Sequence, residues 1–64
     1  MKMNGKVMTV KEGMTVEELL HQEGYRLGRI AVERNGEILP KSQYAATRVE
    51  KDDVYEIVNF VGGG

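Results

Sequence analysis

Val54-Tyr55-Glu56-Ile57-Val58-Asn59-Phe60-Val61-Gly62-Gly63-Gly64 closes the sequence, a run of strand character that passes directly into three glycines and a terminal carboxylate. It is the most apolar stretch of the chain, which predicts a last strand central in a sheet. Tyr55, Ile57, Asn59 and Val61 point to one face of such a strand; Val54, Glu56, Val58 and Phe60 point to the other. If a single helix packs on the first set, Val58 and Phe60 stand on an open face as an apolar, partner-binding pair. A register shifted by one residue exchanges the faces and buries Val58 and Phe60 instead.

The glycines need a separate reason. Glycine loses more backbone freedom on ordering than any other residue, so Gly62, Gly63 and Gly64 add nothing to a folded domain unless something else grips them. The four residues beyond Phe60 reach about 13 Å when extended, enough to thread a narrow channel in another protein. The chemistry that suits such a tail is activation of its own carboxylate: attack on the α-phosphorus of ATP gives an acyl adenylate, which a sulfur or nitrogen nucleophile then displaces. A solvated, frayed chain end has the same composition, and the rest of the chain must decide between the two.

Upstream of the last strand, Ile30-Ala31-Val32-Glu33-Arg34 and Glu37-Ile38-Leu39 flank Asn35-Gly36. Asn-Gly is a strong hairpin signal, because a type I′ turn needs positive φ at both central residues. Pro40 ends the second of these strands by removing a ladder donor. The same signal occurs at Asn4-Gly5, between strands expected over residues 1–4 and 6–10, with Met1, Met3, Met8 and Val10 as adaptable core fillers. Between the hairpins, Thr15-Val16-Glu17-Glu18 matches a capping box, Val16, Leu19 and Leu20 form one apolar stripe, and Gly24 sits where a left-handed helix end wants glycine. The lone His21 falls beyond the stripe and reads as a solvated residue of the last turn. Lys41 to Thr47 predicts a short helical turn. Glu50-Lys51-Asp52-Asp53 reads as a solvated charged turn, since adjacent aspartates without a glycine-centred loop do not make a calcium site.

Sixty-four residues without cysteine make one small domain lacking any disulfide or thiolate metal site. A net charge of -1 supplies no basic field for nucleic acid or an anionic membrane surface. No apolar run is long enough for a membrane span, and the polar start does not resemble a signal peptide, so a cytoplasmic protein is expected. The element order is hairpin, helix, hairpin, helical turn, strand, with the first and last strands neighbours in the middle. That order predicts an α+β, ubiquitin-like β-grasp: a mixed four- to five-stranded sheet with one main helix on one face and a short helical turn. The domain is expected over residues 1–61, with 62–64 as a flexible tail.

These residues together resemble the ThiS family, the sulfur carriers of thiamine biosynthesis within the ubiquitin-like β-grasp superfamily. The resemblance runs from the Met-x-x-Asn-Gly hairpin through Thr15-Val16-x-x-Leu19-Leu20 and residues 31–40 to Val58-Asn59-Phe60-Val61-Gly62-Gly63-Gly64. It implies a protein co-substrate rather than an enzyme, with no bound cofactor and a monomer when free. A ThiF-like adenylating enzyme would use ATP to activate the carboxylate of Gly64, and sulfur from a cysteine desulfurase or another donor would convert it to a thiocarboxylate. A ThiG-like thiazole synthase would then take the sulfur, with Gly62 and Gly63 threaded into its site and Val58 and Phe60 docked outside. Three rivals stay open. A MoaD-like carrier for molybdopterin synthesis uses the same chemistry, a ubiquitin-like modifier forms an amide with lysine, and a β-grasp binding module needs no terminal carboxylate. Iron–sulfur ferredoxins are excluded for want of cysteine ligands.

Overall fold

The first Asn-Gly pair folds as its sequence requires. Asn4 and Gly5 take φ of 52° and 81°, and the chain reverses from β1 (Lys2–Met3) into β2 (Lys6–Val7). The fold is that of a computed structural model, which describes residues 1–60. Val61, Gly62, Gly63 and Gly64 lie outside the described residues, and with them the expected domain boundary and tail. Both strands are two residues long, shorter than the composition predicts. Met8 continues the pairing through its N–H to the Met1 carbonyl at 2.9 Å, but Thr9 and Val10 have left the ladder.

Helix α1 (Val16–Gln22) begins at the predicted capping box. The Glu18 N–H donates to Thr15 Oγ1 at 3.1 Å, and the Thr15 N–H donates to Glu18 Oε1 at 2.8 Å. The bonds Thr15 offers hold the Glu18 carboxyl below its ordinary range. The helix ends in a Schellman motif: the Gly24 N–H donates to the His21 carbonyl and the Tyr25 N–H to the Leu20 carbonyl, each at 3.0 Å, with Gly24 at φ 83°. Between these caps Val16, Leu19 and Leu20 are fully buried, each contributing about 1.5 to 3 kcal/mol of apolar burial. His21 is exposed, as its place beyond the stripe implies.

A 3-10 turn at Leu27–Arg29 leads into β3 (Ile30–Arg34), which Asn35 and Gly36 fold back, at φ 53° and 86°, onto β4 (Glu37–Leu39). Pro40 stops β4, a second 3-10 turn follows at Lys41–Gln43, and β5 (Val54–Asn59) completes a five-stranded sheet in the order β2-β1-β5-β3-β4. β5 runs parallel to β1 and antiparallel to β3 at the centre. This is the mixed sheet with one helix expected of a β-grasp. Met3, Ile30, Val32, Tyr55 and Ile57 carry the sheet's side of the core, Val16, Leu19 and Leu20 the helix's, and Tyr44 and Val49 close it from the crossing segment.

A second expectation fails. The turn at residues 50–53 is not uniformly solvated, because Asp53 is only 5% exposed. Its carboxylate accepts the Glu50 N–H at 2.9 Å, Arg34 Nε at 3.0 Å, the Tyr55 hydroxyl at 2.9 Å and Asn35 Nδ2 at 3.1 Å. Burial alone would raise this carboxyl, but the four donors outweigh it and hold the group below its ordinary value. Burial beside that carboxylate pushes the Tyr55 phenol up to about 12. Asp53 thus ties the 50–53 turn and the β3–β4 turn to the start of β5.

Candidate functional site

The faces of β5 fall as the unshifted register requires. Tyr55 and Ile57 are buried under α1, whereas Val54, Val58 and Phe60 are 44%, 55% and 58% exposed. The slipped alternative would have buried the latter set. Cross-strand partners share a face, so the pairings of Val58 with Ala31, Glu56 with Glu33 and Val54 with Lys2 extend the open face sideways. Val7, opposite Lys2, and Ile38, opposite Glu33, carry it to both outer strands. Five large apolar side chains are thereby exposed on one side of a 60-residue body: Val7, Ile38, Val54, Val58 and Phe60. A monomer has no internal reason for such a face.

Within it, the end nearest the glycines is apolar and the middle is acidic. Val58 stands near the end of β5 and Phe60 is the first residue beyond it, with the Phe60 N–H still tied to the Arg29 carbonyl at 2.8 Å. Glu33 and Glu56 lie directly opposite each other in the β3–β5 register, and neither has an ion-pair partner among the described residues. Like charges facing across a ladder are unfavourable, which leaves this pair available to a cation from outside. The three predicted tail residues, Gly62, Gly63 and Gly64, are outside the described residues; Val58 and Phe60 are brought together at the point where the chain leaves for them. The sequence reading missed Glu33 and Glu56, although their pairing follows from the two hairpins once β5 is laid against β3.

Among the described residues no three histidine, aspartate or glutamate side chains could hold a metal ion, and every buried side-chain polar atom has a hydrogen-bond partner. A surface groove of about 580 Å³ is lined by residues 10–13 and 48–51, including Lys11, Arg48 and Lys51, and includes none of the residues of the open face. No helix among the described residues is long and apolar enough to cross a membrane.

Known proteins of the same pattern extend this picture. The ThiS family model matches residues 1–64. The sulfur carrier protein ThiS of Bacillus subtilis is 40% identical over 65 residues, covering 100% of this chain and 98% of that protein. A thiazole synthase of Paramagnetospirillum magneticum is 49% identical over 61 residues, covering 95% of this chain but 19% of its own length, and one of Magnetococcus marinus is 37% identical over 62 residues with the same 19% share. The chain therefore spans about a fifth of the thiazole synthases it matches. The crystal structure of the thiamine biosynthesis protein ThiS from Geobacter metallireducens superposes with a TM-score of 0.80 at 38% identity, covering 98% of this chain and 96% of that one. A full-length family match, a full-length relative and a shared ubiquitin-like β-grasp lead to one conclusion: the chain belongs to the ThiS family.

Proposed function

We propose that this chain is a sulfur carrier for thiazole formation in thiamine biosynthesis, and that the carboxylate of Gly64 is the group that carries the sulfur. An adenylating enzyme of the ThiF kind binds the open face, and the carboxylate attacks the α-phosphorus of ATP with loss of pyrophosphate. The terminal sulfur of a persulfide, supplied by a cysteine desulfurase or an equivalent donor, then displaces AMP to give an acyl disulfide, and a thiol of the partner enzyme cleaves the S–S bond, forming a disulfide and releasing the thiocarboxylate. The carrier needs no cysteine for this, because the sulfur is held on a carbonyl carbon. Gly62 and Gly63 let the backbone pass where a Cβ would meet the channel walls.

Thiazole synthase is the acceptor in this reading, and Val58 and Phe60 anchor the docked carrier beside the channel mouth. The free chain acts as a cytoplasmic monomer and a co-substrate, with ATP bound by its partner rather than by itself. The observation that carries the proposal is the family match running through residue 64, together with the exposed apolar side chains of Val58 and Phe60 shortly before the glycines. The test is pyrophosphate exchange by the adenylating enzyme: the full chain supports it and a chain lacking Gly64 does not. Equal exchange with both would overturn the assignment of Gly64.

A further inference from the structure

Alternate residues of β5 serve different neighbours. The Asn35 N–H meets the Val54 carbonyl at 2.7 Å and the Phe60 N–H meets the Arg29 carbonyl at 2.8 Å. With the antiparallel register between them, these bonds show that Val54, Glu56, Val58 and Phe60 turn both backbone groups toward β3. Tyr55, Ile57 and Asn59 turn theirs toward β1. There the Tyr55 carbonyl accepts the Asn4 N–H at 2.9 Å, and the Ile57 N–H donates to Asn4 Oδ1 at 2.8 Å. At Asn4 the chain bends away into β2. The Ile57 carbonyl and both backbone groups of Asn59 therefore face the position β1 has vacated, with no hydrogen-bond partner among the described residues. β5 is a central strand in its first half and an edge strand in its second.

We propose that thiazole synthase adds an extended segment of its own chain along this half-edge, pairing with the Ile57 carbonyl and with the N–H and carbonyl of Asn59. The proposal rests on the sulfur-carrier reading above. Exposed strand edges are usually blunted by charge or proline, and the sheet's outer edges here follow that rule, with Lys6 on β2 and Glu37 and Pro40 at the two ends of β4. Residues 57–60, Ile-Val-Asn-Phe, carry neither charge nor proline. The open groups end at Asn59, with only Phe60 and Val61 between it and the glycines, so pairing along them aligns the tail as well as binding it. Main-chain bonds supply affinity while Val58 and Phe60 fill side pockets, the usual division of labour when a strand is added to a sheet. Thiazole synthases that contain a stretch similar to nearly all of this chain put domain and acceptor in one polypeptide, which fits an acceptor surface shaped to this edge.

Amide hydrogen exchange of the full chain, alone and with thiazole synthase from the same source, reads the pairing directly. In the free chain the Val58 and Phe60 amides exchange slowly and the Asn59 amide between them exchanges fast; in the complex Asn59 slows at least about tenfold. If Val58 and Phe60 report docking while Asn59 exchange is unchanged, edge pairing is overturned and the carrier reading survives. If the sulfur-loaded chain transfers nothing to the synthase, the carrier reading falls and this proposal with it. A chemically synthesised chain with N-methyl-Asn59 gives a second reading. It keeps the parent thermal midpoint, since that N–H bonds nothing among the described residues, and binds the synthase at least about tenfold more weakly. Parent-like affinity of the Asn59 derivative overturns the proposal.

Discussion

The side-chain carbonyl of Asn4 accepts the backbone N–H of Ile57 at 2.8 Å, joining the first turn to the last strand across 53 positions of sequence. Asn35 repeats the device at the other end of β5, where its Oδ1 accepts the Val54 N–H at 2.9 Å. Each asparagine holds the left-handed position its Asn-Gly turn demands and uses its amide to complete the ladder of the strand that leads to the glycines. Replacing Asn4 with glycine keeps the turn geometry and removes the bond, so about 1 kcal/mol of stability is lost. Asn4→Ala adds the strain of a left-handed alanine, for a total of about 2 kcal/mol. Urea unfolding of the two variants separates these contributions; equal stability of parent and Asn4→Gly would show that the bond contributes nothing.

Asp53 gives the fold an acid-labile point. Its folded carboxyl titrates below the ordinary 3.8, so the unfolded chain takes up the proton first as pH falls. The stabilisation is therefore complete above about pH 4 and is lost as pH drops through the depressed folded value. Asp53→Asn removes about 2 kcal/mol at pH 7, since the replacement leaves a charged guanidinium and a buried hydroxyl with poorer acceptors. Thermal midpoints between pH 7 and pH 2 check both points: the parent loses stability more steeply below pH 4 than Asp53→Asn does. Parallel curves would contradict the role given to this carboxylate.

Both hairpins and the capped helix were legible because their signals are local. Asn4-Gly5, Asn35-Gly36, Thr15 with Glu18, and Gly24 each act within a few residues. The faces of β5 were not decided locally, since a strand with apolar residues on both sides reads the same after a one-residue shift; packing of Tyr55 and Ile57 beneath α1 settles it. Asp53 was misread for a related reason. Glu50-Lys51-Asp52-Asp53 has the composition of a solvated turn, and the partners that bury its last residue, Arg34 and Asn35, lie 19 and 18 positions away. The first hairpin was overextended because Thr9 and Val10 have strand composition but no neighbour strand to pair with.

Phe60 is more than half exposed, so its removal touches binding rather than folding. Phe60→Ala changes unfolding free energy by less than about 0.5 kcal/mol and weakens association with the adenylating enzyme or thiazole synthase at least about tenfold. Calorimetry on the same samples reads both quantities. A large loss of stability with unchanged affinity would place Phe60 in the core and overturn the docking face.

Glu33 and Glu56 oppose each other on that face with no cation between them among the described residues. Glu56→Gln relieves the repulsion and raises stability by a few tenths of a kcal/mol. The same change weakens partner binding and flattens its dependence on salt, because one charge that a partner's lysine or arginine would meet is gone. Binding titrations at low and high ionic strength check this. An unchanged salt dependence would remove the acidic pair from the docking face.

Whether sulfur is carried on the carboxylate of Gly64 is read from the intact mass of the protein recovered gently from its own cells. A fraction of the chains with one terminal oxygen replaced by sulfur, absent from a version lacking Gly64, is the predicted result. A mass that stays unmodified even when the adenylating enzyme, ATP and a persulfide donor are supplied would contradict it.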